Sequence, residues 1–343
     1  MLHRMLVGPL KDWDTSRKRA GLSNFRVPAV EAETRLVMTL LVRNEADVIE
    51  GNLRFHLDHG VDFIVATDNG SSDGTTEILE EYARMGVVHL IHEPSRVFHQ
   101  RAWVNRMGKL AYSSFAADAV FHADADEIWY PASGSLKSEL CARKQVDVLS
   151  VPVKNMLMAN RDGRERFPHD IAYKVNRPIK KPVRKVMNEV ARQSFLLYRH
   201  PSKTMYRTRM GHLDVVQGNH DICPINNARN VFKKTSYDIE ILHFPVRGIE
   251  QFFRKILNNG EGLENLHRHV GSDAVKGWHV KRWYALYKDG KLNEEYRRLV
   301  IEHDRLDQYL KKGVLSPLCG QGQQVLKYFD GSAPVVTRQL QDI

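Results

Sequence analysis

Leu36-Val37-Met38-Thr39-Leu40-Leu41-Val42 is a nearly continuous apolar run of strand length. A run so short and so apolar predicts a β-strand buried on both faces, as in parallel sheets. Ile49, Leu53 and Leu57 then recur every fourth residue, the spacing of one helix face, and Gly60 suits the C-terminal cap. The alternation continues. Val61 to Ala66 predicts a second strand, Ile78, Tyr82 and Met85 a second helix, and Val87 to Ile91 a third strand. Trp103, Met107, Leu110 and Ala111 mark a third helix, Ala119 to Ala123 a fourth strand and Val146 to Val153 a fifth. Strands and helices alternating at this spacing imply right-handed crossovers. The predicted fold class is α/β, a Rossmann-like, mainly parallel sheet flanked by helices.

The rest of the chain is less periodic. Residues 1–33 show no period and read as an N-terminal arm, and residues 155–235 are irregular. From Ile249 to Leu310 the pattern is helical and charged, with an interruption around Gly271, and the residues after it read as a tail. The expected organisation is an arm (1–33), a catalytic domain (34–248) and a C-terminal helical extension with its tail (249–343). A length of 343 residues fits one catalytic domain with an extension.

Lys and Arg outnumber Asp and Glu by 51 to 41, which points to an anionic partner: nucleic acid, an anionic membrane or a phosphorylated small molecule. Cys141, Cys223 and Cys319 are widely spaced and form no C-x-x-C pair. That argues against a disulfide framework or a cysteine zinc site, and suits a reducing compartment. No stretch approaches the roughly 20 apolar residues that span a bilayer, and residues 1–30 lack the apolar run of a signal peptide. The expected location is the cytoplasm, with peripheral contact at the inner face of the membrane.

Parallel sheets of this class bind ligands beyond the carboxyl ends of their strands. Three polar clusters fall there: Asn44-Glu45, Asp68 to Asp73, and Asp124-Ala125-Asp126-Glu127. In an extended chain Asp124 and Asp126 point the same way and Glu127 the other. Two carboxylates on one side repel unless a cation lies near them. Mg²⁺ and Mn²⁺ favour such oxygen ligands and often bind through one or two carboxylates plus substrate phosphates. A strand-end acid pair also serves simply as a cap or a solvated turn. In Asp68-Asn69-Gly70-Ser71-Ser72-Asp73-Gly74, the glycines let backbone approach a ligand, Asp68 is an acceptor for a base or ribose, and Asp73 suits a helix cap. The turn is neither a Walker A loop nor a G-x-G-x-x-G fingerprint.

Together these segments resemble the family 2 glycosyltransferases. LLVRNEADVIEGNLRFHLDHGVDFIVATDNGSSDGTTEIL is similar to that family's opening strand, first helix and acidic nucleotide-binding turn, and FHADADEIW to its D-x-D motif in the D-x-D-E form. The resemblance spans roughly residues 35–155. It implies a GT-A fold, a nucleotide-sugar donor (a UDP-sugar foremost), a divalent Mn or Mg ion and inversion at the anomeric carbon. Carried over by motif, Asp68 contacts the nucleoside, Asp124 the ribose or the metal, and Asp126 the metal; Glu45 stands where the opening strand meets the nucleotide. The family's second turn acid is Asn69 here. LHFPVRG resembles a stretch of related transferases, which makes His243 a third metal ligand and Arg247 a diphosphate clamp. The family's downstream acidic pair is missing. Asp214 and Asp221 are the candidate bases, with Asp221 in GNHDICP favoured, and His220 lies beside it.

The function so implied is transfer of a sugar from a nucleoside-diphosphate donor to the hydroxyl of a saccharide or lipid-linked acceptor, in surface polysaccharide or glycoconjugate synthesis. The basic stretches Arg177 to Lys185 and Lys281 to Tyr284 are solvated faces, or else contacts for donor phosphates, an anionic acceptor or a membrane. The rivals are a nucleotidyltransferase acting on sugar phosphates and a basic nucleic-acid-binding protein. No RNP, zinc-finger or helix-turn-helix signal supports the last, so nucleic acid is not an expected partner.

Overall fold

The computed structural model describes residues 34–95, 99–159, 166–179, 194–223, 231–270, 278–300 and 303–333. The N-terminal arm, most of the basic stretch after Arg177 and the interruption after Gly271 lie outside these residues.

The first half alternates as the periodicity predicts. It runs β1 (Leu36–Val42), α1 (Ile49–Asp58), β2 (Phe63–Asp68), α2 (Thr75–Arg84), β3 (Val88–His92), α3 (Gln100–Ser113) and β4 (Ala119–Asp124). β1 pairs in parallel with both β2 and β4, and β2 with β3. Leu36, Met38, Leu40 and Val42 pack with Val48, Ile49, Leu53, Leu57 and Leu79 from α1 and α2. Val37 faces the opposite way and packs with Val104, Met107 and Ala111 of α3. Burial on both faces is why β1 carries no alternating pattern. Gly60, at φ +102°, ends α1 as expected, and the Val61 amide returns to the His56 carbonyl.

The remaining elements are β5 (Glu127–Pro131), α4 (Ser138–Ala142), β6 (Val148–Val151), β7 (Val153–Met158), β8 (Ile171–Val175), β9 (Lys203–Arg207), β10 (Lys233–Thr235) and β11 (Ile239–His243). After them come α5 (Ile249–Val270), α6 (Trp278–Lys288), α7 (Leu292–Leu299), α8 (His303–Lys311), β12 (Leu315–Pro317) and α9 (Gln321–Phe329). The strands form a seven-stranded sheet in the order β10-β6-β9-β4-β1-β2-β3 and a five-stranded sheet in the order β12-β8-β7-β11-β5. The first is mainly parallel, with β9 antiparallel to both neighbours. In the second only β7 and β11 run in parallel. The fold is α/β, with a mainly parallel sheet flanked by helices.

Three expectations need correction. Val146 to Val153 is not one strand: Pro152, which has no amide donor, separates β6 in the larger sheet from β7 in the smaller. The irregular 155–235 region supplies β8 and most of β7 to the second sheet and β9 and β10 to the first. Its strands are short and mostly antiparallel, so they carry weak patterns. The presumed tail is structured through Ala333: β12 pairs with β8, and Val325 and Phe329 of α9 pack with Phe55, Leu242 and Phe244. The helical extension likewise buries Phe252, Ile256, Trp283, Leu292 and Tyr296 with Leu157 and Val175 of the second sheet.

Candidate active site

The tetrapeptide Asp124 to Glu127 does not stay extended. β4 ends at Asp124, Ala125 and Asp126 form a turn, and β5 begins at Glu127 in the other sheet. The four residues are therefore the crossing point between the sheets, and the turn divides their carboxylates into two groups. Asn52 of α1 pins the crossing, its amide donating to the Ala125 and Glu127 carbonyls at 2.9 Å each.

One group is Asp124 and Glu127. Lys203, at the start of β9, donates to Asp124 at 2.7 Å and to Glu127 at 2.6 Å, and Glu127 also accepts the Asp124 amide at 3.1 Å. Lys203 and Glu127 are buried, whereas the Asp124 side chain is 40% exposed. Burial alone would lower the Lys203 ammonium; Asp124 and Glu127 overcome it and hold the pKa above its ordinary value. Glu127 thus shares a counter-ion with Asp124 instead of facing away from it.

The other group surrounds Asp126, which is buried. Lys255 of α5 donates to its carboxylate, His243 Nε2 stands at 3.6 Å and Arg247 at 3.8 Å. Burial pushes Asp126 up, but Lys255, His243 and Arg247 together hold it well below the ordinary carboxylate range. Arg247 lies on the connection from β11 to α5, with its guanidinium fully buried. It pairs with Glu45, donates to Asp47 at 2.7 and 3.0 Å, and donates to the Phe244 carbonyl at 3.1 Å. Burial pushes Glu45 above its ordinary value; Arg247 and Lys255 pull against that, and Asp126 and Asp47 add to it.

His243 is the register partner of Glu127 on β5 and of Asn155 on β7. Asn155 donates its amide to the Leu196 carbonyl at 2.6 Å, which leaves its oxygen to accept from His243 Nδ1 at 2.8 Å. His243 Nε2 is thereby aimed at the Asp126 carboxylate. The Asp126 oxygen that His243 Nε2 faces at 3.6 Å is the one that accepts from Lys255. Around Asp126, Glu45 and Asp47 share Arg247 while Lys255 pairs with Asp126 itself, and Asp124 and Glu127 share Lys203. This donor set fits a hard divalent ion. Among the described residues no group of three or more His, Cys, Asp or Glu is arranged to hold a metal ion, so the protein offers such an ion two ligands here, Asp126 and His243. An ion held by these two would need further ligands from water or a phosphate, as Mg²⁺ commonly does.

The structure gathers Glu45, Asp126, His243 and Arg247, and sets Asp124 beside them on Lys203. It keeps Asp68 and Asp221 out of these contacts. Asp68 accepts from the Ser71 amide at 3.1 Å, the Ser71 hydroxyl at 2.6 Å and the Thr76 hydroxyl at 2.6 Å. Its carboxylate holds the turn that carries it. Asp73 also organises the turn, accepting from Thr75 and from the Ala46 amide at 3.1 Å. Asn44, at φ +55°, ties the first strand end to the second by accepting from the Ser72 amide at 2.8 Å. The favoured base, Asp221, is exposed and accepts from Lys233 at 2.7 Å and from the Ile222 amide. His220 bonds the Ser202 carbonyl at 3.2 Å.

Lys203, Lys255, Asn155 and Asp47 escaped the sequence reading. Lysines on an amphipathic helix or a short strand look like solvated charge until the partner acid is placed. Within the basic stretch Lys281 to Tyr284, Arg282 and Trp283 Nε1 both bond the buried Glu295.

No family model matches this chain, and no curated protein matches it. Among solved structures it is similar to residues 1–349 of S. aureus TarS, at 12% identity and a TM-score of 0.36, covering 88% of this chain and 90% of that one. It is also similar to glucosyl-3-phosphoglycerate synthase from Mycobacterium tuberculosis in complex with Mn²⁺, UDP and glucosyl-3-phosphoglycerate, at 19% identity and a TM-score of 0.30, covering 52% and 58%. Likenesses this distant leave the chemistry to be argued from the residues themselves.

Proposed function

We propose that the protein is a divalent-cation-dependent glycosyltransferase of GT-A type. It moves a sugar from a nucleoside-diphosphate donor, a UDP-sugar foremost, to the hydroxyl of a saccharide or lipid-linked acceptor with inversion. One observation carries this reading. At the end of a parallel-sheet strand, the Asp126 carboxylate faces His243 Nε2 at 3.6 Å, with Arg247 and Lys255 on the same oxygen and Glu45 and Asp47 beside them. A divalent ion held by Asp126 and His243 would supply charge neutralisation for a diphosphate leaving group.

The protein's own residues do the rest. Asp126 and His243 supply the ligands. Asn155 fixes the imidazole so that Nε2 points inward. Arg247 and Lys255 set positive charge beside Asp126, where it would favour a departing diphosphate. The Asp68 turn, tied to Asn44, forms the floor beside the nucleoside.

The test is a panel of nucleotide sugars offered to the purified protein with Mn²⁺. Release of nucleoside diphosphate from at least one donor supports the reading. Pyrophosphate released from a nucleoside triphosphate and a sugar phosphate would make the protein a nucleotidyltransferase instead.

A further inference from the structure

Lys255 has no place in the sequence motifs, yet it makes the closest ionic contact of Asp126. It projects from the second turn of α5, the helix that begins just after Arg247, and its side chain is 26% exposed. Asp126 therefore already has a counter-ion when no metal is bound. Lys255 lies within the influence of Glu45 and Arg247 as well as Asp126. A divalent ion between Asp126 and His243 would stand where the Lys255 ammonium now neutralises the carboxylate. Ion and ammonium cannot both be the close partner of one buried oxygen without strong repulsion.

We propose that Lys255 is a placeholder cation. In the free protein it occupies the metal's seat on Asp126. When a divalent ion binds, the ammonium is displaced and turns to the diphosphate that the ion brings in. The inference rests on the transferase reading for the second half of that exchange and on the Asp126 geometry alone for the first. It makes metal and diphosphate binding mutually reinforcing, because the displaced lysine regains a partner only when the diphosphate arrives. It also gives the site a reason for its charge balance. Lysine covers Asp126 while the site is empty, and ion plus lysine cover the diphosphate when it is full.

The experiment measures Mn²⁺ affinity by electron paramagnetic resonance on the full chain, first with Mn²⁺ alone and then with UDP present. Wild type is compared with Lys255→Met, and with Arg254→Met as a control for general surface charge. Lys255→Met is expected to bind Mn²⁺ alone about tenfold more tightly than wild type, since its competitor is gone, and Arg254→Met to change it less than about twofold. UDP should tighten Mn²⁺ binding in wild type, and that gain should shrink about tenfold in Lys255→Met. Equal or weaker Mn²⁺ binding by Lys255→Met overturns the proposal, as does an unchanged UDP effect or an absence of Mn²⁺ binding in both proteins. Donor turnover is read separately. Turnover with unaltered Mn²⁺ affinity in Lys255→Met removes only the lysine exchange, whereas tightened Mn²⁺ binding with no donor consumed removes only the transferase reading.

Discussion

His243 presents Nε2 to the Asp126 carboxylate at 3.6 Å while Asn155 holds its Nδ1 at 2.8 Å. The two contacts come from one strand register, Glu127 to His243 to Asn155 across β5, β11 and β7. Imidazole orientation is thus built into the second sheet.

Asn155 should therefore matter to metal binding without touching the metal. Asn155→Leu removes the acceptor for Nδ1 and leaves the Leu196 carbonyl without its donor. Mn²⁺ affinity is expected to fall about 10- to 100-fold, with a loss of stability of about 1–3 kcal/mol from the unpaired buried carbonyl. Mn²⁺ titration and urea unfolding of the same sample check both. Unchanged Mn²⁺ affinity would show that Asn155 does not set the ring.

Lys203 should matter to folding. It is the shared counter-ion of Asp124 and the buried Glu127. Removing one partner of a buried ion pair costs about 3–5 kcal/mol. Lys203→Met should lose about that much in urea unfolding, and Lys203→Met combined with Glu127→Gln should recover part of it. A double variant no more stable than the single one would contradict the pairing.

Two fully buried histidines contribute most directly to the acid response. Burial pushes His56 and His122 each down to about 3. His56 bonds the Asn52 carbonyl through Nδ1 and accepts the Trp129 amide at Nε2, so both nitrogens are committed in the neutral ring. The unfolded chain takes up these protons near pH 6.5 and the folded chain does not. Stability from each is full above pH 6.5 and is lost as pH falls from there toward 3, about 1.4 kcal/mol per pH unit per histidine. The urea midpoint should fall steeply between pH 6.5 and 5, and His122→Gln should flatten the fall. Equal pH slopes for the variant and wild type would remove His122 from the account.

Arg247 is a bidentate hub that lysine cannot replace. Arg247→Lys keeps the charge but cannot serve Glu45, Asp47 and the Phe244 carbonyl together. Donor turnover is expected to drop at least about tenfold, since several kcal/mol of leaving-group stabilisation depend on placed cations. A variant with wild-type kcat/KM would show that point charge suffices.

The strand-helix alternation and the strand-end position of the acids were legible because burial on both faces leaves a continuous apolar run, and because polar clusters at strand ends stand out against it. His243 and Arg247 were legible only through their local resemblance, yet they join Glu45 and Asp126 in space. The second sheet was not legible: Pro152 and the Asp124 to Glu127 turn carry the chain between sheets without a break in hydrophobicity. For the same reason the extended geometry expected of Asp124 and Asp126 did not hold. Lys203 and Lys255 carry no signature of burial, and Asp68 looks identical whether it holds a ligand or its own turn.

The central claim is that Asp126 makes a nucleotide-sugar site work through a divalent ion. The most direct measurement is nucleoside diphosphate release by wild type and Asp126→Asn, with and without Mn²⁺, using the donor that the panel identifies. Wild type should require Mn²⁺, and Asp126→Asn should lose at least about 10²-fold in kcat/KM while keeping its fold by circular dichroism. Turnover in Asp126→Asn equal to wild type, or unaffected by chelation of the ion, would contradict the account.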